Sequence, residues 1–121
     1  MSDKKRILVV EDEPSLLRVT TFWLNRDGYE VLSANNGVKG LEMARTNLPD
    51  LIILDLNMPL MDGGAVCGAL KADEKLRKIP VIVLSASVND LDTKAKEIGA
   101  DGWMLKPYQP EQFLSKVKNL I

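Results

Sequence analysis

Asp55 closes the apolar run Leu51-Ile52-Ile53-Leu54, and a polar turn then leads to Asp62-Gly63, where the chain enters a helix. A carboxylate at the tip of a strand buried on both faces is costly to desolvate and well placed to react. The other strand-like runs deliver polar groups in the same way: Ile7–Val10 stops at Glu11-Asp12, Val81–Leu84 at Ser85, and Gly102–Leu105 at Lys106. Three carboxylates brought together repel one another and invite a divalent cation, and an oxygen-only donor set favours Mg²⁺ over zinc. The chain contains no histidine, which removes histidine triads, histidine metal sites and a histidine phosphoacceptor. The chemistry suggested is phosphoryl transfer to a carboxylate, which depends on positioning and charge neutralisation. Asp55 would attack and become an aspartyl phosphate. Lys106 would set a mobile charge against a phosphoryl oxygen, and Ser85 would donate a hydrogen bond. No general base is required and the product stays attached, so an enzyme that turns over a free substrate is not expected. Taken singly, Glu13 or Asp62 reads more simply as a helix cap or a solvated turn.

The elements that must position these groups follow from periodicity. Ile7–Val10 is a continuous apolar strand, and Pro14 suits the first turn of the next helix. In that helix Leu16, Val19, Thr20, Trp23 and Leu24 form the inward stripe, Leu17 and Phe22 lie off it, and Gly28 is the stop. Tyr29–Ala34 alternates, as an edge strand does. Val38, Leu41 and Ala44 mark a helix over residues 37–47, broken by Pro49-Asp50. After Gly63 a weak helix runs to about Ala72 with Val66 and Leu70 inward. Pro80 opens the fourth strand, a helix spans about Asn89 to Ile98 with Gly99 closing it, and the last helix begins near Pro110 and buries Phe113, Leu114, Val117 and Leu120. Five strands alternating with five helices predict an α/β fold, a parallel sheet with helices on both faces. Right-handed crossovers leave few topologies, and ligands in such sheets sit beyond the carboxyl ends of the strands where strand order reverses. With order 2-1-3-4-5, that point lies between the strands ending at Val10 and Asp55.

Bulk properties exclude other classes. A length of 121 residues suits one domain, residues 1–121, and with the last helix ending near Ile121 no output domain is expected in this sequence, whether it stands alone or belongs to a larger protein. With 45% hydrophobic and 27% charged residues, the chain has neither a disordered composition nor a membrane span. A net charge of −1 without a basic stripe disfavours direct nucleic-acid binding. The single Cys67 excludes an internal disulfide and reads as a small buried hydrophobe on a helix. No leader-like apolar stretch opens the sequence, so a cytoplasmic protein is expected.

The set Glu11-Asp12, Asp55 within LDLNMPLMDG, Ser85-Ala86 and Lys106-Pro107 resembles the receiver domain of two-component response regulators, over essentially the whole chain. The resemblance implies a flavodoxin-like (βα)₅ fold with strand order 2-1-3-4-5. It assigns Asp55 as phosphoacceptor, Asp12 as direct Mg²⁺ ligand, Glu11 as a second acid reaching the metal through water, and Asn57 as the residue whose carbonyl binds the metal. Lys106 and Ser85 match the phosphate-contacting pair, and Pro107 the proline that usually follows through a cis peptide bond. Trp103 stands where the family usually places a Tyr or Phe that turns inward with the hydroxyl residue. A sensor histidine kinase or histidine phosphotransfer protein is the implied donor, and a downstream protein of unknown identity the implied target. Asn57 and Ser87 flank the site and are candidates for tuning water attack on the phosphoryl group.

Two rivals are weighed against this. A receiver-like module that signals by constitutive contacts would ignore Mg²⁺ and acetyl phosphate, and the intact acid, serine and lysine set argues against it. A flavodoxin would carry a phosphate-cradling loop where this chain has Glu11-Asp12-Glu13-Pro14, which repels an anionic cofactor. An aspartate-type phosphatase usually has a second aspartate where Asn57 stands.

Overall fold

The structure, a computed structural model, describes residues 4–56, 63–85 and 99–121. The apolar runs form β1 (Arg6–Val10), β2 (Glu30–Ala34), β3 (Leu51–Asp55), β4 (Val81–Ser85) and β5 (Gly102–Leu105). They pair in parallel as one five-stranded sheet of order β2-β1-β3-β4-β5. The central strands β3 and β4 are buried at every residue, which is why they read as apolar runs up to Asp55 and Ser85 at their tips. Strand β2 lies at an edge and leaves Glu30 and Ser33 exposed, as its alternation predicts.

Among the described residues the helices are α1 (Pro14–Arg26), α2 (Gly37–Asn47), α3 (Gly63–Ala72) and α4 (Pro110–Leu120). The helix expected from Asn89 to Ile98 lies outside the described residues, as do Asn57, Asp62, Ala86 and Ser87. Local chemistry sets the helix ends. The Glu13 carboxylate accepts from the Ser15 and Leu16 amides at 3.1 and 2.8 Å, so Glu13 is the helix cap anticipated as its simpler role. Asn36 caps α2 by accepting from the Lys39 amide at 2.9 Å. Gly28, with φ of 92°, ends α1 as expected. Helix α2 stops at Leu48, which itself takes the left-handed conformation one residue before the expected break at Pro49.

One face of the sheet packs Leu8, Val10, Ile52, Leu54 and Val83 against Leu41 and Ala44 of α2 and Val66, Cys67 and Leu70 of α3. The other packs Ile7, Val9, Ile53, Ile82 and Leu84 against Leu24 of α1 and Phe113 and Val117 of α4. Cys67 is fully buried, in keeping with its reading as a core residue. Three residues depart from their expected faces: Val19 and Val38 are 42% and 58% exposed, and Leu17 packs partly against the core. A helical stripe is wider than one row of side chains, and the rotation of the helix against the sheet selects which rows are covered. Phe22 is 59% exposed, as its position off the stripe predicts.

Close approach of α2 supports the end of β1 that carries Glu11. A Cβ on Gly40 would lie 2.9 and 3.0 Å from the two methyl carbons of Val10, a short, stiff side chain that has little room to yield. Gly40→Ala gains about 1 kcal/mol of helix propensity but adds an overpacking cost of about 1 to 3 kcal/mol. A net loss of up to about 2 kcal/mol is expected in chemical denaturation, and a variant more stable than wild type would show that β1 and α2 can separate freely.

Candidate functional site

At the carboxyl edge of the sheet the strand tips converge, because parallel register places Val10, Leu54-Asp55, Leu84-Ser85 and Leu105 side by side. The residues that follow are held by continuing backbone bonds: the Glu11 amide donates to the Ala34 carbonyl at 3.0 Å, and the Lys106 amide to the Ser85 carbonyl at 2.8 Å. Glu11, Asp55 and Ser85 are buried, at 2%, 2% and 6% exposure. Glu11, Asp12 and Asp55 each place one carboxylate oxygen within 4.8 Å of the others, with Asp12 the most open to solvent. Lys106 Nζ reaches into this cluster, 3.0 Å from Asp55 Oδ2 and 3.2 Å from Glu11 Oε1. Glu11 Oε2 accepts from the Glu13 amide at 3.2 Å.

This arrangement perturbs its own charges. Burial pushes the Glu11 carboxyl from 4.5 to about 7, and the hydrogen bond and negative charge of Asp55 act in the same direction; the Glu13 amide and the Lys106 ammonium pull it down. Burial alone would lower the Lys106 ammonium, but its hydrogen bond to Asp55 and the charges of Asp55 and Glu11 outweigh this and raise it. Buried carboxylates held this close carry an excess of negative charge that one lysine offsets only in part. The all-oxygen donor set, open on the Asp12 side, fits a hard divalent cation such as Mg²⁺.

A dependence on pH follows. Folding raises the Glu11 pKa, so the stability contributed by its bound proton is complete below pH 4.5 and is lost as pH rises through about 7. Metal-free protein should lose roughly 2 to 4 kcal/mol from this group across that window. Denaturation in EDTA near pH 5 and near pH 8 reads the change, and Glu11→Gln, which does not titrate, should remove most of the difference between the two. An equal pH dependence in the variant would dismiss Glu11 as its source.

Of the residues singled out from sequence, the structure brings Glu11, Asp12, Asp55 and Lys106 together, with Ser85 at the adjoining strand tip. Asn57 lies outside the described residues. Trp103 is partly buried on β5 against the cluster beneath α2 and α3, its carbonyl accepts from Lys116 Nζ at 3.1 Å, and the same ammonium sits 5.5 Å from its ring centroid. The Lys106-Pro107 peptide is cis, as the resemblance implies. Sequence reasoning missed Tyr108, which is buried behind Lys106 with its hydroxyl 3.0 Å from that of Thr20. A tyrosine two residues after the lysine, with a threonine on the inward stripe of α1, was the available signal.

The open parallel sheet thus gathers carboxylates and a lysine where its strand order reverses, with a serine at the adjoining strand tip. The family model described as the response regulator receiver domain matches residues 7–118. The chain belongs to that family. It is 37% identical over 118 residues to the alkaline phosphatase synthesis transcriptional regulatory protein PhoP of Bacillus subtilis, which covers 97% of this chain and 48% of that protein. The chain thus spans about half the length of the curated relatives it matches. Among solved structures it resembles the Vibrio cholerae chemotaxis protein CheY4, with a TM-score of 0.91, 29% identity, and coverage of 98% and 99% of the two chains. It also resembles the receiver domain of the sensor histidine kinase PA1611 of Pseudomonas aeruginosa, with a TM-score of 0.90, 25% identity and 97% of each chain covered; that structure has a magnesium ion coordinated in its active-site cleft. No helix among the described residues is long and apolar enough to cross a membrane.

Proposed function

We propose that this chain is a cytoplasmic phosphorylation switch in which Asp55 accepts a phosphoryl group in a Mg²⁺-dependent reaction. The donor is the phosphohistidine of a sensor histidine kinase or histidine phosphotransfer protein, and the receiver's altered surface is read by a downstream protein. The observation that carries this reading is the buried Asp55 carboxylate, 3.0 Å from Lys106 Nζ, with an oxygen of Glu11 and of Asp12 within 4.8 Å.

Asp12 and Asp55, with the carbonyl of Asn57, would hold Mg²⁺, and Glu11 would reach it through water. The bound ion would neutralise carboxylate charge and withdraw charge from the transferring phosphoryl group. An Asp55 carboxylate oxygen attacks phosphorus, a P–O bond forms as the P–N bond of phosphohistidine breaks, and the imidazole leaves with the electron pair. Lys106 follows its present partner, moving from the carboxylate to a phosphoryl oxygen, and Ser85 donates to another. Trp103 stands on the strand that Lys106 terminates, and its shift with Ser85 would pass the change to the β4–β5 side of the sheet. The aspartyl phosphate remains on the protein, so the chain acts as a switch and turns over no free substrate.

Incubating purified protein with Mg²⁺ and acetyl phosphate should add one hydroxylamine-labile phosphoryl group, located at Asp55 by peptide mass mapping. Protein that gains no phosphate under these conditions, or gains it elsewhere, would sink the reading.

A further inference from the structure

We infer that Thr20 and Tyr108 are positioning residues for phosphoryl transfer, tying α1 to the segment after β5 so that Lys106 Nζ is held between Asp55 and Glu11. The inference rests on the functional reading above.

Both hydroxyls sit where an apolar residue would do for packing alone. Thr20 is 1% exposed on the sheet-facing side of α1, and Tyr108 is 8% exposed within the same apolar cluster as Phe113. Their hydroxyls share one hydrogen bond of 3.0 Å. Replacing both partners of a buried hydrogen bond by apolar groups of the same shape is nearly neutral for stability. The pair therefore adds little that valine and phenylalanine would not, except direction: a hydrogen bond fixes a distance and an angle, whereas apolar contact does not.

That direction falls on the lysine. Lys106 carries a long flexible stem, so its ammonium is only as well placed as the backbone beneath it. Its amide is pinned on one side to the Ser85 carbonyl at 2.8 Å. On the other side, two residues on, the Tyr108 ring stacks on Phe113 at 5.1 Å between centroids and meets Trp23 edge-on at 6.0 Å, while its hydroxyl engages Thr20. The stacking sets the ring plane, and the hydrogen bond stops the ring from sliding within it. Burial pushes the Tyr108 hydroxyl up in pKa and the Thr20 hydrogen bond opposes this; the charges of Glu11, Lys106 and Asp55 also register there, within electrostatic reach of the site.

The test compares wild type with Tyr108→Phe, Thr20→Val, their double variant and Thr20→Ser, measuring phosphate incorporation at saturating Mg²⁺ and acetyl phosphate. Each of the first two should slow the maximal rate by about threefold to tenfold, as small misplacements of a reacting group do. The double variant should be no slower than the slower single, because both break one bond. Thr20→Ser, which keeps the hydroxyl, should recover most of the rate. In a Lys106→Met background the same changes should leave the residual rate unmoved. Wild-type rates in Tyr108→Phe and Thr20→Val, even with lowered melting temperatures, would make the pair merely structural and overturn the inference, as would multiplicative effects in the double variant or slowing without Lys106. Those failures leave the functional reading standing, whereas wild type that takes up no phosphate at all removes both.

Discussion

Asp55→Asn is expected to abolish the hydroxylamine-labile phosphate, lowering the rate with acetyl phosphate and Mg²⁺ by about a thousandfold or more. The amide is nearly the same size as the carboxylate but offers no anionic oxygen to attack phosphorus. The fold should survive. Asp55 raises the Glu11 carboxyl through both a hydrogen bond and its charge, so the substitution removes an electrostatic penalty while Lys106 keeps its second carboxylate at 3.2 Å. Stability near neutral pH without metal should stay within about 1 kcal/mol of wild type, since the gain at Glu11 offsets the lost ion pair. Phosphate incorporation and urea denaturation on the same preparation separate the two effects. A variant that still gains phosphate would show that another residue is the acceptor, and an unfolded one would show that Asp55 is structural.

Lys106→Met is expected to lower the same rate by about a hundredfold to a thousandfold without abolishing it. The methionine fills the stem's volume and removes a charge aimed at the phosphoryl oxygens, a loss of transition-state stabilisation of the oxyanion-hole kind. Unlike Asp55→Asn, which is expected to be nearly neutral, this substitution is expected to cost stability. Glu11 and Asp55 lose their shared cation, and Lys106 is one of the two influences holding the Glu11 carboxyl down. The metal-free variant should be less stable by about 2 to 3 kcal/mol near neutral pH, at the lower end for a broken buried pair because Glu11 can take up a proton. Added Mg²⁺ should restore more stability to the variant than to wild type. An unchanged rate would remove Lys106 from the reaction, and unchanged metal-free stability would mean that solvent already screens the pair.

The strands were legible because a strand buried on both faces must be largely apolar, as β1 is from Ile7 to Val10, β3 from Leu51 to Leu54 and β4 from Val81 to Leu84. Their polar ends were legible for the same reason, since Asp55 and Ser85 break runs that burial otherwise keeps apolar. The helix stop at Gly28 and the cap at Glu13 are local chemistry, readable within a turn. Helix rotation was not, which is why Val19 and Val38 emerged on the outside: periodicity gives an apolar arc, and only docking against the sheet selects which of its rows is covered.

Sequence by itself therefore determined the described elements, the parallel α/β class and which polar groups stand at the strand tips, because each rests on chemistry within a few residues. Tertiary structure alone decided what those groups do to one another. Lys106 meets Glu11 across 95 positions and Tyr108 meets Thr20 across 88, and the rise of the Glu11 carboxyl to about 7 exists only once burial and Asp55 act on it together. Charge interaction and desolvation depend on separation in space, which a linear chain acquires only when the sheet has closed its register.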